Sequence, residues 1–352
     1  MHVNTIDGLR AIAIISVLLV HAGMPGFSLG WLGVDLFFVL SGFLITSLLI
    51  NEKRTKGHIN IYKFMGRRIL RLFPAYYFYI SLITLAIYLD FGELRAVGPW
   101  EPSVIMASLW GYFNNFIPRG GFWEYDTLLI HLWSLSLEEQ YYLIWPLLLI
   151  GILKIRNFLI LPTLVMLILL ILRYCGLDLD YDDKLHTRGI ALFFGSYMAL
   201  LCLQFKSLIV FFEKYQNLIF VLVMFFLLVA SLCKFLGVMD NNMLRRTPII
   251  FLDIVFSLMI ASLWYGNSSF LSRLLSVSPL VYIGKVSYGI YLYHMFCHFI
   301  VWDIWYFEVA LLPNYINYLI RLIIYISMSV GIAALSYRFL ELPFLRFKNQ
   351  CR

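Results

Sequence analysis

One apolar stretch near the N-terminus carries two side chains that can take part in chemistry. The segment DGLRAIAIISVLLVHAG (residues 7–23) contains Arg10 and His21, which are eleven residues apart. On a helix that separation is about 16 Å of rise and close to three turns, so both side chains lie on much the same face. Ionisable side chains inside a membrane span are costly, so they mark candidate functional sites. A histidine there is a candidate general base or acyl carrier.

A carboxylate at a similar depth is a candidate partner of His21. The segment GWLGVDLFFVLSGFLIT (30–46) places Asp35 about one turn inside the outer end of the second apolar run. A His21–Asp35 contact would fix the tautomer of the imidazole and raise its basicity, as general-base catalysis requires. Alternatively, Asp35 caps its own helix or pairs with a loop residue.

Two later segments add ionisable residues to the outer half of the membrane. HLWSLSLEEQYYLIWP contains Glu138 and Glu139, and because neighbouring helical residues point about 100° apart, at most one of them shares a cavity with His21. A single residue of this kind also has a bland explanation, since it can simply bond a neighbouring helix. The segment VSYGIYLYHMFCHFI contributes Tyr288, Tyr291 and His294.

Arginines cluster on the opposite, cytoplasmic side. The motif RRILR contributes Arg67, Arg68 and Arg71, and Arg10 lies at a similar depth. Guanidinium groups bind phosphate oxygens in pairs, which suits a polyphosphate. Basic residues beside a span also report orientation or lipid contact. The two layers together suggest group transfer through the membrane, from a phosphorylated donor held by arginines to a histidine in the outer half.

The elements that position these residues are predicted to be membrane-spanning helices. The chain is 62% hydrophobic and 13% charged, far more apolar than a soluble domain. We predict one all-α domain over residues 1–352, a polytopic helix bundle with about ten transmembrane helices. Seven Lys or Arg within 51–71 place both termini in the cytoplasm by the positive-inside rule. The spans are expected at about 8–24, 31–50, 73–90, 131–152, 157–174, 188–204, 217–235, 248–266, 281–302 and 316–337.

Composition argues against several other classes of protein. The net charge of +7 lies mostly between spans, where it reports topology and not nucleic-acid binding. The five cysteines lack metal-ligand spacing, so we expect neither a metal nor a disulfide framework. The first apolar run lacks a basic leader and a cleavage site, so we expect a retained helix. The long loop at 91–130 either covers an outward-facing opening or is a surface loop with interfacial aromatics.

Six motifs in order resemble the acyltransferase-3 family of membrane O-acyltransferases, over essentially the whole chain. They are IDGLRAIAIISVLLVH (6–21), GWLGVDLFFVLSGFLIT (30–46), RRILRLFPAYY (67–77), HLWSLSLEEQYYLIWP (131–146), SYGIYLYH (287–294) and SYRFLELPFLR (336–346). The resemblance implies a ten-helix bundle, acetyl-CoA as the donor from the cytoplasm, and a sugar hydroxyl as acceptor at the outer face. It implies no permanently bound cofactor.

The resemblance also implies roles for individual residues. His21 matches the family's transfer histidine and Arg10 its partner arginine. The donor motif is matched by Arg67, Arg68 and Arg71, and the acidic positions by Asp35, Glu138 and Glu139. Acceptor binding or support is expected from Ser41, Trp133, Tyr288, Tyr291 and His294.

The function implied by the resemblance is acetyl transfer in the bacterial inner membrane. The expected acceptor is a cell-surface polysaccharide, such as the O-antigen of lipopolysaccharide, a capsule or an exopolysaccharide, or its lipid-linked precursor. The sequence ends soon after the last span, so we expect the form without the C-terminal esterase-like domain of many members. Two alternatives stay open: a glycolipid transporter or flippase, which needs no thioester donor, and an acyltransferase that uses another acyl chain or acceptor.

Overall fold

The computed structural model describes residues 4–89, 102–116, 128–129, 131–174, 184, 187–238, 247–266, 270–304 and 313–350. Every regular element within these ranges is helical, which confirms the all-α fold class. The helices are α1 (Asn4–His21), α2 (Leu32–Lys56), α3 (Ile61–Tyr88), α4 (Pro102–Trp110), α5 (Leu132–Ile152), α6 (Ile160–Tyr174), α7 (Ile190–Gln204), α8 (Lys206–Phe235), α9 (Thr247–Tyr265), α10 (Phe270–Leu275), α11 (Ser278–Lys285), α12 (Ser287–Phe299), α13 (Asn314–Ser336) and α14 (Leu342–Gln350), with a 3₁₀ turn at Asn114–Phe116 and π-helical segments at Ile300–Ile304 and Tyr337–Glu341.

The helices follow the apolar runs because a span in lipid must satisfy its backbone hydrogen bonds internally. Within the described ranges, five helices are long and apolar enough to cross a membrane, and shorter apolar helices accompany them. Nine of the ten predicted spans each coincide with one helix, and the ninth is divided between α11 and α12. The chain is a multi-pass membrane protein. The number of crossings and the side of the termini stay predictions.

The largest difference from the predicted boundaries lies in α3. This helix begins at Ile61, twelve residues before the expected start at 73, so the basic motif RRILR lies within a helix. Hydropathy places a boundary where charges begin, but long basic side chains extend their charged heads away from apolar surface and need not end a helix. The expected ninth span also differs, because it divides at Val286 into α11 and α12.

A short helix, α4, lies in the segment that was expected to be a loop. The hydroxyl of Tyr76 in α3 donates to the carbonyl oxygen of Leu109 in α4 at 2.9 Å. The ring of Tyr112 stacks on that of Tyr76, with centroids 4.1 Å apart. These contacts hold α4 against α3. Residues 90–101 and 117–127 of the same segment lie outside the described residues.

The chain forms two compact units, whereas the sequence predicts one domain over residues 1–352. The first unit comprises residues 1–59 and 141–285, and the second comprises residues 60–140 and 286–352. Each unit is described by itself.

In the first unit, α2 packs closely against α7. A Cβ added at Gly42 would lie 1.9 Å from the carbonyl oxygen of Leu192, and one added at Gly195 would lie 1.9 Å from that of Val39. Small residues allow such close backbone approach between membrane helices. The beginnings of α2 and α7 therefore lie side by side, with Asp35 in the first turn of α2.

In the second unit, buried tyrosines join α3, α12 and α13. The Tyr79 hydroxyl donates to the carbonyl oxygen of Leu128 at 2.9 Å, and the hydroxyls of Tyr293 and Ser336 lie 3.0 Å apart. A buried tyrosine contributes a large apolar ring while its hydroxyl finds a partner. These bonds hold in place the helices that carry the site residues of this unit.

Candidate active site

His21 is the last residue of α1, and the helix itself orients its imidazole. The Nδ1 atom lies 2.9 Å from the carbonyl oxygen of Val17, one turn earlier. A carbonyl oxygen only accepts, so Nδ1 carries the proton in this bond and Nε2 of the neutral imidazole bears the lone pair. A backbone carbonyl thus selects the tautomer that a general base or a nucleophile needs.

Asp35 is fully buried and pairs with Arg188, so the expected His21–Asp35 contact is wrong. Arg188 Nε donates to Oδ1 of Asp35 at 2.9 Å and Nη2 donates to Oδ2 at 2.8 Å. The guanidinium also lies 4.8 Å from the centroid of the Trp31 ring. A bidentate guanidinium occupies both carboxylate oxygens and is always charged, which makes it the stronger partner for a buried aspartate. Asp35 therefore does not set the tautomer of His21.

Two further ionic residues surround this pair. Asp253 in α9 is 1% exposed and lies within electrostatic reach of Asp35, Arg173 and Arg188. The Nη1 atom of Arg173 donates to the carbonyl oxygen of Thr187 at 2.6 Å. Two arginines balance two aspartates, so the group buries little net charge. We call Asp35, Arg173, Arg188 and Asp253 the buried ionic cluster.

Neither Arg188 nor Asp253 is among the predicted site residues. Asp253 stands in the apolar run TPIIFLDIVF, and an ionisable residue in such a run is itself a functional-site signal. Arg188 follows a polar stretch, where a basic residue is typical of the membrane interface. Its partner Asp35 is 153 residues away, and no local pattern predicts that pairing.

Arg10 lies on α1 with His21, as the spacing predicts. The helix is continuous from Asn4 to His21, so about three turns separate the two side chains. Arg10 Nη1 lies 2.8 Å from Oδ1 of Asp7, which is buried, while Arg10 itself is half-buried. The ion pair steadies the guanidinium but leaves part of it accessible.

Ser41 lies along a line of hydroxyl groups between α2 and α5. It accepts a hydrogen bond from the Tyr142 hydroxyl at 3.3 Å. One turn further on, Thr46 accepts from Trp145 Nε1 at 2.8 Å and donates to Ser196 at 2.8 Å. These bonds join α2, α5 and α7, while the part of Ser41 in acceptor binding stays a prediction.

In the second unit, the arginines of RRILR lie about two turns inside α3. Arg67, Arg68 and Arg71 are all half-buried. Arg68 and Arg71 are three residues apart and therefore share a face of the helix. The Arg68 guanidinium lies 5.6 Å from the centroid of the Phe64 ring, a cation–π distance.

Each of these two arginines has a glutamate as an electrostatic neighbour. Arg68 interacts electrostatically with Glu139 of α5, and the adjacent Glu138 repels the same carboxylate. Arg71 acts on Glu341. The sequence count places Arg68 and Glu139 in different layers, but the second unit brings them together.

Glu341 is absent from the predicted site residues although it lies in the quoted motif SYRFLELPFLR. It ends the π-helical segment Tyr337–Glu341 and is 3% exposed. Segments of π-helix are frequent at functional sites. The hydroxyl of Tyr288 donates to the carbonyl oxygen of Leu72 at 2.9 Å and lies within electrostatic reach of Glu139 and Glu341. We call Arg68, Arg71, Glu139, Tyr288 and Glu341 the arginine–glutamate cluster.

His294 is fully buried and lies against a second histidine, His131, with ring centroids 5.0 Å apart. His294 Nδ1 lies 2.7 Å from the carbonyl oxygen of Tyr291, and His131 Nε2 lies 3.1 Å from that of Leu292. The Tyr291 hydroxyl donates to the carbonyl oxygen of His131 at 3.0 Å. Trp133, two residues beyond His131, is also buried. The group joins α12 to the start of α5, and its expected part in acceptor binding stays a prediction.

The predicted site residues fall in both units. The first unit holds Arg10, His21, Asp35 and Ser41, and the second holds Arg67, Arg68, Arg71, Trp133, Glu138, Glu139, Tyr288, Tyr291 and His294. Within the second unit, Arg68 and Glu139 come together, and so do Tyr291 and His294. The convergence of all these residues on one cavity stays a prediction.

The fold and these residues define a polytopic, all-α membrane protein whose spans carry a histidine and half-buried arginines. Residues 3–338 match the family described as an acyltransferase domain, and the chain belongs to that family, as the motifs predict.

Relatives within this group are named for acetyl transfer. The chain is 32% identical over 356 residues to the O-acetyltransferase OatA of Staphylococcus aureus, covering 96% of the chain and 56% of the relative. It is 31% identical over 366 residues to the peptidoglycan O-acetyltransferase OatA of Listeria monocytogenes, covering 97% and 56%. The chain thus spans little more than half the length of these relatives. No solved structure matches it.

Proposed function

We propose that the chain transfers an acetyl group from acetyl-CoA to a hydroxyl group of a cell-surface polysaccharide. The donor reaches the protein from the cytoplasm and the acceptor lies at the outer face of the bacterial inner membrane. Membership of the acyltransferase family supports the reaction class. The names of the relatives support acetyl as the group and a polysaccharide as the acceptor.

The observation that carries this proposal is the contact of 2.9 Å between Nδ1 of His21 and the carbonyl oxygen of Val17. With the proton of Nδ1 held by the Val17 carbonyl, Nε2 presents a lone pair at the end of α1. In one route, Nε2 takes the proton of the acceptor hydroxyl while the hydroxyl oxygen attacks the thioester carbon. The C–S bond then breaks, and the proton passes from Nε2 to the leaving thiolate. In the other route, Nε2 attacks the thioester carbon, the C–S bond breaks, and coenzyme A leaves as a thiolate. The acceptor oxygen then attacks the acetyl carbon, the bond from that carbon to Nε2 breaks, and the hydroxyl proton passes to the thiolate.

The arginines supply the donor site in this proposal. Coenzyme A carries several phosphate oxygens, and guanidinium groups bind such oxygens in pairs. Arg68 and Arg71 share one face of α3, and Arg67 adds positive charge to the same helix. Half-burial is suited to this task because a partly exposed guanidinium can exchange water for phosphate without leaving a buried charge unpaired.

The carboxylates beside the arginines have a positioning role in this proposal. Glu139 and Glu341 hold Arg68 and Arg71 in place before the donor arrives, which reduces the ordering cost of binding. Acceptor contacts are assigned to Trp133, Tyr291 and His294 of the second unit, because indole, hydroxyl and imidazole groups bind sugars through hydrogen bonds and ring faces.

Labelled acetyl-CoA tests the proposal. Membranes that contain the chain are incubated with acetyl-CoA carrying isotope in the acetyl group, and the surface polysaccharide is isolated and counted. Label should appear in the polysaccharide and should be released as acetate by mild base. Membranes without the chain are the control. No label in the polysaccharide would refute acetyl transfer, and preferential labelling from a longer acyl-CoA would refute acetyl as the group.

A further inference from the structure

A polar cavity of about 500 Å³ lies in the first unit, away from His21. It is bounded by the end of α2, the end of α7, the beginning of α8 and the end of α9. All four positions belong to the side that the positive-inside rule assigns to the cytoplasm. Its chemically distinctive lining residues are Asn51, Arg54, Lys206, Glu213, Trp264 and Tyr265.

The aromatic wall of the cavity is held in place from behind. The ring of Phe43, which is fully buried, contacts Trp264 and Tyr265 edge to face, with centroids 5.9 and 6.5 Å away. The hydroxyl of Tyr265 lies close to the thiol of Cys202. These contacts make the wall a built feature of the fold. Tyrosine and tryptophan at this depth are typical of the membrane interface.

Two positively charged residues, Arg54 and Lys206, line this cavity. Among the described residues, no carboxylate lies within ion-pair distance of Arg54 or Lys206. The neighbours of Arg54 in α2 are engaged, because Lys53 donates to the Leu153 carbonyl oxygen at 3.1 Å and Lys56 pairs with a glutamate of its own helix. The difference indicates that Arg54 and Lys206 are available to an anion that enters the cavity.

The rim of the cavity is apolar and open. Leu48 of α2 is 44% exposed and Val210 of α8 is 63% exposed, and both line the cavity beside the basic residues. In a membrane protein such exposed side chains contact acyl chains. A ligand that fits both parts joins a phosphate to hydrocarbon, whereas a soluble phosphate would leave the apolar rim unused.

We propose that this cavity binds the headgroup of an anionic phospholipid. The phosphate lies between Arg54 and Lys206, the headgroup hydroxyls face Asn51 and Glu213, and the acyl chains run along the apolar rim. Basic cavities between membrane helices on the cytoplasmic side are suited to such headgroups, and each basic residue contributes about fivefold to binding. The site is independent of the proposed acetyl transfer.

Binding of dioctanoyl phosphatidylglycerol to the purified full chain in neutral detergent tests this site. Dioctanoyl phosphatidylcholine is the uncharged control lipid. The double variant Arg54→Gln with Lys206→Gln should raise the dissociation constant for phosphatidylglycerol roughly thirtyfold, and each single variant roughly fivefold. The matched control is Lys154→Gln with Arg156→Gln, which removes two exposed positive charges on the same predicted side and outside the cavity. That control should leave the constant within about twofold.

Three results would overturn the proposal. The first is that the control variant weakens binding as much as the cavity variant, which would show that surface charge attracts the lipid diffusely. The second is that phosphatidylcholine binds as tightly as phosphatidylglycerol, which would show that the cavity does not recognise the negative charge of the headgroup. The third is that adenosine diphosphate competes with the lipid and its binding requires the same two residues, which would show that the ligand is a soluble nucleotide. The single variants keep the test valid if the double variant does not fold.

Discussion

The two units place their ionic residues in different environments. In the buried ionic cluster of the first unit, Asp35 is fully buried and both of its oxygens are bonded to Arg188. In the arginine–glutamate cluster of the second unit, Arg68, Arg71 and Glu139 are half-buried, and each arginine acts electrostatically on a glutamate. A closed, fully buried ion pair has no capacity left for a ligand, whereas the half-buried arginines expose part of their surface. The difference supports a structural role for the first cluster and agrees with the donor site proposed for the second.

The largest effect is expected from opening the closed cluster. Asp35→Asn leaves the buried Arg188 guanidinium without its counter-charge, which should lower the free energy of unfolding by about 3–5 kcal/mol. Detergent-induced unfolding of the purified chain measures this loss. Lys56→Gln is the matched control, since it removes only the exposed partner of an ion pair near the end of α2 and should cost less than about 1 kcal/mol. Equal stability of the two variants would remove the distinction between the clusters.

The second prediction concerns the half-buried arginines. Arg68→Ala should raise the apparent KM for acetyl-CoA roughly 10- to 100-fold, because a charge-assisted hydrogen bond contributes about 1.5–3 kcal/mol. Unfolding stability should change far less than in Asp35→Asn. Lys63→Ala, on the exposed face of the same helix, is the control and should leave KM within about twofold. An unchanged KM in Arg68→Ala would exclude this arginine from the donor site.

The smallest effect is expected at Glu341. Glu341→Gln removes the charge that acts on Arg71 while keeping the side-chain volume, so KM for acetyl-CoA should rise by about fivefold with little change in kcat. If the glutamate works through the arginine, its effect should vanish in an Arg71→Ala background, as in a double-mutant cycle. Fully additive effects would show that Glu341 does not position Arg71.

The fold was largely predictable from the sequence, and the partners of the site residues were not. Apolar runs determine where helices form because lipid offers no hydrogen bonds to the backbone, so nine of the ten predicted spans each coincide with one helix. The same rule misplaced the start of α3, where half-buried arginines continue the helix. The Asp35–Arg188 pair joins residues far apart in the chain, and hydropathy carries no information about such pairs.

Single residues show the same limit within the site. The separation of Arg10 and His21 followed from helical spacing because both lie on one continuous helix. The tautomer of His21 could not be predicted from spacing, because the carbonyl oxygen of Val17 and any nearby side chain can each accept the proton of Nδ1. Glu341 lies beyond the last predicted span, in a π-helical segment that periodicity does not predict.

Acetyl transfer by His21→Ala tests the central claim most directly. Membranes with equal amounts of folded wild-type, His21→Ala and His58→Ala chains are supplied with acetyl-labelled acetyl-CoA, and label in the polysaccharide is counted. His58 is an exposed histidine between α2 and α3 and serves as the matched control. We predict that His21→Ala loses activity by roughly 10²- to 10⁴-fold, the usual contribution of a general base, while His58→Ala is unchanged. Near-wild-type transfer by folded His21→Ala would contradict the account.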